Sequence, residues 1–304
     1  MVSFQRLLAL VALFASPALL LAAEPSSGVK VEKSIVYGTA SGQKLYLDIA
    51  VPPGDGPFPC IVMFHGGAWT GGSRTDLSAG GRDKDGKPTP SWIEAAAQHG
   101  YVAASVGYRL APKYKFPAMI EDARAAVRFL RADAPKYKID PDKFAAWGFS
   151  AGAHLSLLLG LCDKTSGFDV GENTDQSGRV QCVVDFFGPT DLSLYSGTPD
   201  IVDGYLVPVF GKEFKTDPAV CKKASPLCYV CKDAPPILIL HGTFDLIVPV
   251  KHSELLEKAL TDAGCSVEMV TIPFAGHGGW GEKDMRKAED AAFKFLDAQL
   301  KGKK

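Results

Sequence analysis

The fold is indicated most clearly by the pentapeptide Gly148-Phe149-Ser150-Ala151-Gly152. An apolar run from Phe144 to Trp147 precedes it, and an apolar stretch from Ala153 to Leu159 follows it. This order predicts a buried strand, a tight turn and a helix. Because strand and helix pass very close to each other at such a turn, the positions two residues before and after the serine have room only for glycine. The pattern predicts a nucleophile elbow that exposes the hydroxyl of Ser150.

A serine nucleophile needs a base and an acid that orients the base, and both have candidates further along the chain. Asp245 lies in the loop after the apolar run 236–240. His277 lies in a glycine-rich loop after the apolar run 267–272. The order serine, aspartate, histidine is that of the α/β-hydrolases. The predicted catalytic residues are therefore Ser150, Asp245 and His277.

An oxyanion hole is predicted earlier in the chain. The apolar run 60–64 continues directly into His65-Gly66-Gly67-Ala68-Trp69. Glycines allow the backbone itself to approach a substrate oxygen. We therefore expect the backbone N–H groups of Gly66 and Gly67, together with that of Ala151, to bind the oxyanion.

Two rivals to these assignments are weaker. Asp191 also follows a predicted strand, but an earlier one, so Asp245 is preferred as the acid. His65, His154 and His241 are interpreted as structural residues, with His65 bracing the oxyanion segment.

The remaining pattern predicts an α/β fold. Residues 30–50 read as two antiparallel strands joined by a turn over residues 38–43, after which short apolar runs alternate with helical patterns. Such an alternation predicts a mostly parallel central sheet with helices on both faces, as in the α/β-hydrolase fold. Residues 24–304 are interpreted as one catalytic domain. The segment at about 192–235 interrupts the alternation and is interpreted as a lid-like insertion that walls the substrate pocket.

Six segments carry a family resemblance: His65–Trp69, Tyr108–Pro112, Phe116–Ala118, Gly148–Gly152, Gly188–Leu192 and His241–Asp245. The chain resembles α/β-hydrolase esterases of the feruloyl/acetyl-xylan-esterase-like branch near the hormone-sensitive lipases. Ala68 stands where hormone-sensitive lipases usually carry a third glycine, and Gly107 stands where they usually carry an aspartate. Both departures favour the esterase-like branch.

The resemblance and the ordered triad imply a secreted serine carboxylesterase that works through an acyl-enzyme. Acetyl or feruloyl esters of plant polysaccharide, or short-chain acyl esters, are the expected substrates, either as small molecules or linked to the polysaccharide. The alternative is an amide or formamide hydrolase of the arylformamidase type. A non-catalytic binding protein would be expected to lack the serine or the histidine. We expect no cofactor and no metal.

Composition and the N-terminus bear on partners and compartment. The formal net charge is −1, and without a basic surplus no nucleic-acid partner is expected. Residues 1–23 hold one arginine, an apolar core and small residues, which predicts a signal peptide and a secreted or periplasmic protein. A retained membrane anchor is the rival interpretation; after processing, no stable membrane span is expected. The sequence leaves the oligomeric state open.

The chain has seven cysteines, and an odd number in an exported protein leaves at least one thiol free. Cys60, in a predicted core strand, is the expected free thiol. Three cysteines cluster at Cys221, Cys228 and Cys231. In an oxidising compartment these favour at least one disulfide, with Cys221–Cys231 as the first candidate pair. Cys228 and Cys231 have the spacing of a metal-binding pair, but a metal site would need a second pair of cysteines.

Overall fold

The computed structural model of the chain describes residues 28–83 and 85–302. The predicted signal peptide, residues 1–23, lies outside the described residues. The strands are β1 Lys30–Ala40, β2 Gln43–Val51, β3 Phe58–Phe64, β4 Gly81–Arg82, β5 Pro88–Thr89, β6 Val102–Val106, β7 Ile139–Phe149, β8 Cys182–Phe186, β9 Ile237–Gly242 and β10 Val267–Ile272. The α-helices are α1 Thr75–Ser78, α2 Trp92–Gln98, α3 Ala118–Ala132, α4 Ala151–Leu161, α5 Pro199–Ile201, α6 Val207–Phe210, α7 Pro218–Ala224, α8 Lys251–Asp262 and α9 Glu282–Lys301.

Eight of these strands form one sheet in the order β1-β2-β6-β3-β7-β8-β9-β10. The strand β2 runs antiparallel to both of its neighbours, and every pairing from β6 to β10 is parallel. The predicted mostly parallel sheet is confirmed. Because the carboxyl ends of β3, β7, β9 and β10 meet at one edge, the four loops predicted to carry the site converge there.

Helices cover both faces of the sheet, as predicted. In β3, Cys60, Val62 and Phe64 point into one core and Ile61 and Met63 into the other. The first core receives side chains of α3, α4 and α8, and the second receives those of α2 and α9. Burial on both faces explains why the central strands are continuous apolar runs rather than alternating ones.

The N-terminal hairpin turns later than expected. The sequence predicts a turn over residues 38–43, whereas β1 and β2 pair as far as Ala40 and Gln43. A two-residue loop of Ser41 and Gly42 joins them, with φ of 50° and 72°. Two left-handed residues suit the twist of a tight hairpin, so the strands can continue up to the turn.

The excursion at 192–235 folds into short helical pieces rather than an irregular loop. Between α5 and α6 the helix widens into a π turn at Val202–Leu206. Pro208, which follows at once, has no N–H to donate to the preceding turn, and this accounts for a change in helical register here. The segment packs onto the domain, and the ring of Phe210 lies 5.4 Å from that of Trp69.

The predicted disulfide is wrong in this structure: all seven cysteines, which all lie within the described residues, are free thiols. Cys221 faces Ser225, with its sulfur 3.9 Å from the serine hydroxyl oxygen. The Cys231 carbonyl instead accepts from the thiol of Cys265, 3.2 Å away. Sequence proximity was a poor guide because α7 and the following turn carry Cys221 and Cys231 to different neighbours.

Among the described residues, no helix combines the length and the apolar character that crossing a bilayer requires.

Asp185, in the middle of β8, provides a pH-dependent test of the core. Its Oδ1 accepts from the N–H of Gly188 at 2.8 Å, and its Oδ2 has no partner among the described residues. Burial raises the pKa of this carboxyl from 3.8 to about 7. The folded state therefore holds a proton that the unfolded state releases, so stability should fall by about 1.4 kcal/mol per pH unit between pH 3.8 and 7.

We expect Asp185→Asn, which keeps the acceptor but cannot ionise, to remove this loss. Urea denaturation at pH 4 and pH 8 measures it. The difference in the free energy of unfolding, variant minus wild type, should become more positive as the pH rises. A difference between the two proteins that stays constant between these pH values would contradict the assignment.

Candidate active site

Ser150 sits at a strained turn between β7 and α4, with φ of 54° and ψ of −117°. A Cβ on Gly148 would lie 2.2 Å from the carbonyl carbon of Gly152, and one on Gly152 would lie 2.1 Å from the oxygen of Phe64. Both positions therefore exclude any side chain. The Ser150 N–H donates to the Phe186 oxygen at 2.9 Å, which ties the turn to the neighbouring strand. The predicted elbow is present.

The structure brings the three predicted catalytic residues together in one chain of hydrogen bonds. His277 Nε2 lies 2.9 Å from Ser150 Oγ, and His277 Nδ1 lies 2.6 Å from Asp245 Oδ2. Residues from three separate loops thus meet at hydrogen-bonding distance. When His277 Nδ1 carries the proton and donates a hydrogen bond to the Asp245 carboxylate, the lone pair of Nε2 can accept the serine proton.

The carboxylate of Asp245 is held ionised. Burial by itself would raise its pKa, but hydrogen bonds from His241, His277 and the Val248 N–H outweigh burial and lower the pKa to about 2. Its Oδ1 accepts from the N–H groups of Ile247 and Val248 at 2.9 and 2.8 Å. The loop therefore fixes both the charge and the direction of this side chain.

His241 lies closer to the site than its structural interpretation suggests. Its Nε2 is 2.8 Å from the Val248 oxygen and 3.3 Å from Asp245 Oδ2, and its Nδ1 is 2.6 Å from Ser253 Oγ. A carbonyl can only accept, so Nε2 carries the proton and Nδ1 accepts from the serine. Asp245 is thus contacted by two histidines. The spacing of four residues between His241 and Asp245 is the sequence signal for this contact.

The oxyanion segment is braced by the side chains around it. His65 Nδ1 donates to the Gly66 oxygen at 2.7 Å, and the ring of His65 stacks on Tyr108 with centroids 4.3 Å apart. The Gly67 oxygen accepts from the N–H groups of Thr70 and Gly71. These bonds use the carbonyl oxygens of Gly66 and Gly67, and the bracing role expected for His65 is observed.

Ala68 is a functional candidate that the sequence reasoning missed. It lines the cavity that also contains Ser150, Ala151 and His277. Gly67 just before it has a φ of 109°, and a Cβ there would lie 2.4 Å from the Gly71 oxygen. The glycine allows the loop to turn, and the turn brings Ala68 to the cavity wall. Its position after two glycines was the available signal.

A second link joins this loop to the insertion. Trp69 Nε1 donates to His154 Nδ1 at 3.3 Å, and His154 Nε2 donates to the Ala224 oxygen at 2.7 Å. Burial lowers the pKa of His154 to about 4, so this imidazole stays neutral. The oxyanion loop, the helix behind the nucleophile and α7 are therefore connected.

Arg109 pins the loop after β6 to the start of α3. Its guanidinium contacts Asp122 at 2.7 Å and Glu121 at 3.0 Å, and the residue is buried.

The cavity beside Ser150 has a volume of about 170 Å³. The insertion contributes part of its apolar wall, and the loop after β9 contributes another part. The lining side chains from these two segments are Tyr195, Ile201, Tyr205, Leu206, Leu246, Ile247 and Val248. A larger cavity of about 670 Å³ lies within the insertion, between residues 191 and 228, and contains none of the three catalytic candidates. Chemistry is therefore assigned to the smaller one.

A family model described as BD-FAE matches residues 47–260. Esterase LipC of Mycobacterium tuberculosis is 32% identical over 228 residues, which cover 73% of this chain and 53% of the relative. Esterase LipQ of the same organism is 31% identical over 249 residues, covering 80% and 56%. The chain thus spans about half the length of these curated relatives.

Two solved structures are also similar. A truncated carbohydrate esterase from gut microbiota superposes with a TM-score of 0.76 at 26% identity, covering 92% of this chain and 99% of that one. The esterase Est2 of Thermogutta terrifontis superposes with a TM-score of 0.70 at 26% identity, covering 90% and 92%. The α/β fold of the chain is shared with both proteins.

Proposed function

Because the chain belongs to the BD-FAE family of α/β-hydrolases, we propose that it is a serine carboxylesterase. The observation that carries the proposal is the continuous chain of hydrogen bonds from Ser150 through His277 to Asp245, at the wall of an apolar cavity. The names of the relatives and the fold shared with solved esterases support it.

In this mechanism Ser150 Oγ attacks the ester carbonyl while His277 Nε2 takes its proton. The carbonyl oxygen becomes an oxyanion, which the N–H groups of Gly66, Gly67 and Ala151 stabilise, with Ala68 as a further donor. His277 then protonates the leaving alcohol, and a water molecule activated by the same imidazole releases the acid. Asp245 holds the imidazole and balances its transient positive charge.

The cavity favours a short acyl group. Its volume of about 170 Å³ is below the roughly 300–1,000 Å³ typical of sites for drug-sized ligands. Apolar side chains of the insertion narrow it on one side. We therefore propose acetyl and other short acyl esters as substrates ahead of feruloyl esters.

A saccharide is our proposal for the alcohol part of the ester. One structural neighbour is described as a carbohydrate esterase and another as a bifunctional GH43-CE protein of Bacteroides eggerthii. These descriptions concern those proteins; they motivate testing acetylated polysaccharide here.

A substrate panel tests the activity. It compares p-nitrophenyl acetate, butyrate and octanoate with acetylated xylan, methyl ferulate and N-formylkynurenine. We expect acetate and butyrate to be hydrolysed fastest among the p-nitrophenyl esters, and acetylated xylan to release acetate. Preferential hydrolysis of N-formylkynurenine would instead establish the arylformamidase alternative.

We also propose that the protein is exported, on the strength of the apolar segment that follows Arg6. N-terminal sequencing of protein purified from its native host should find a mature chain that begins close to Glu24. A chain that still begins at Met1 would refute this proposal.

A further inference from the structure

The large apolar side chains that are most exposed within the described part of the chain lie beside the active site. They are Leu246, Phe274 and Phe244, which are 86%, 82% and 61% exposed. Phe244 and Leu246 flank Asp245 in the loop after β9, and Phe274 precedes His277 in the loop after β10. The rings of the two phenylalanines lie 5.8 Å apart and are inclined at 43°. We call these three side chains, two of which are aromatic rings, the aromatic platform.

The backbone holds this platform in place. The Phe244 N–H donates to the Ala275 oxygen at 2.9 Å, and the Phe274 N–H donates to Thr243 Oγ1 at 2.8 Å. The Thr243 N–H in turn donates to the Ile272 oxygen at 3.0 Å. Three hydrogen bonds thus cross between the two loops at the base of the rings. The rings project from a rigid base rather than from a loose loop.

Phe274 also occupies an unfavourable backbone region, with a φ of 60°. A bulky residue in the left-handed region costs on the order of 1 kcal/mol or more and is concentrated at functional sites. Here the strained conformation directs a large apolar ring into solvent, where the ring gains no burial. A strained backbone at Phe274 that leaves its ring exposed indicates that a ligand covers the ring.

The mechanism says which part of a substrate would reach this surface. His277 protonates the leaving alcohol, so the alcohol part of the ester must lie against His277. The platform is built from the two loops that carry Asp245 and His277. Leu246 belongs both to the cavity wall and to the platform, so the two surfaces are continuous. A large alcohol would therefore extend from the cavity over these side chains.

We propose that the aromatic platform binds the sugar ring of an uncharged oligosaccharide or polysaccharide whose hydroxyl carries the ester. This inference rests on the proposed esterase function and names the side chains that bind its saccharide alcohol. The C–H bonds on one face of a pyranose are apolar and slightly positive, and they match the negative face of an aromatic ring. Two rings inclined to each other can contact successive parts of a sugar chain.

The charges of the two loops favour a neutral sugar over a lipid surface. Residues 243–250 and 273–281 contain no lysine or arginine. The carboxylate of Asp245 is buried and occupied by His277 and His241. Surfaces that bind membranes usually combine apolar side chains with basic ones, which attract anionic headgroups. An uncharged aromatic surface of this small size suits an uncharged polar ligand with an apolar face.

The first test compares Phe244→Ala, Phe274→Ala and the double variant with the wild type on two acetyl esters. On acetylated xylo-oligosaccharides the double variant should lose about tenfold in kcat/KM, mainly through KM. On methyl acetate, whose alcohol has a single carbon atom and cannot reach the platform, it should keep wild-type kinetics. Val170→Ala, which trims an exposed apolar side chain elsewhere, is the matched control and should change neither.

The second test measures binding without turnover. Calorimetry of Ser150→Ala with acetylated xylohexaose should give an affinity that the added double substitution lowers about tenfold. Equal losses on both esters would overturn the proposal, because the rings would then merely support the catalytic loops. Unchanged kinetics and unchanged binding in the double variant would overturn it too. A third contrary result would be a wild type that binds no sugar but binds neutral phosphatidylcholine vesicles, with the vesicle binding lost in the double variant.

The two tests distinguish a failure of the platform from a failure of the proposed esterase function. If the wild type hydrolyses no ester in the panel, the proposed function fails, whereas sugar binding by Ser150→Ala can still be observed. If the wild type hydrolyses p-nitrophenyl acetate and the double variant is indistinguishable from it on every saccharide, only the platform is wrong.

Discussion

Replacing Ser150 by alanine should lower kcat by about 10⁴- to 10⁶-fold while the protein stays folded. The reason is geometric: Ser150 Oγ is 2.9 Å from His277 Nε2, at the turn where β7 ends. Alanine leaves the oxyanion donors and the cavity in place, so only their limited contribution to the rate should remain. The measurement is kcat on p-nitrophenyl acetate, with thermal unfolding as a check on the fold.

Ser156→Ala is the matched control for this variant. Ser156 lies on α4, the helix that follows Ser150, and is also buried, but its hydroxyl donates to the Gly152 oxygen at 3.0 Å and is not part of the triad. We expect its activity to stay within about twofold of the wild type. In addition, a serine-directed phosphonate should label the wild type at Ser150. Substantial esterase activity in Ser150→Ala would disprove the nucleophile assignment.

The next largest effect is expected for Asp245→Asn, which should lower kcat by about 10⁴-fold. An asparagine oxygen can still accept from the N–H groups of Ile247 and Val248, so the loop should keep its shape. The variant lacks the negative charge that stabilises the imidazolium. An amide placed against His277 Nδ1 also favours the tautomer that cannot accept the serine proton.

Asp191→Asn separates the two candidate acids. Asp191 also follows a strand, but its Oδ1 accepts from the Ser193 N–H, at 3.0 Å, and caps the start of a short helical turn. Asparagine serves equally well as a helix cap. We expect nearly full activity in this variant. Comparable losses in the two variants would show that the hydrogen-bond pattern around Asp245 does not identify the acid.

The parts of the site that could be predicted depend on local backbone geometry. Gly148 is required by its contact with Gly152 across the turn, and Gly152 by its contact with the end of β3. Both contacts follow from the tight turn at Ser150, so the spacing of the glycines is visible in the sequence. The continuous apolar runs of the central strands follow from burial on both faces of the sheet. Asp245 and His277 could be assigned because each directly follows such a run.

The features that escaped prediction depend on the three-dimensional path of loops and on contacts between separate segments. The contact between His241 and Asp245 requires the path of the loop as far as Val248. The neighbours of Cys231 are set by α7 and by the loop that carries Cys265. Exposure of Phe244 and Phe274 cannot be read from apolar residues next to strands, which usually indicate burial. In each case the tertiary structure, rather than the local sequence, determines the contact or the exposure.

The surface around the active site is divided between the insertion and the loops after β9 and β10, and this division has a practical consequence for engineering. Tyr195, Tyr205 and Leu206 come from the insertion, whereas Phe244 and Phe274 come from loops at the ends of β9 and β10. Libraries at the first set should explore the acid released, and libraries at the second the alcohol. Because both surfaces contact one substrate, the best members of the two libraries should be combined and screened together for coupling.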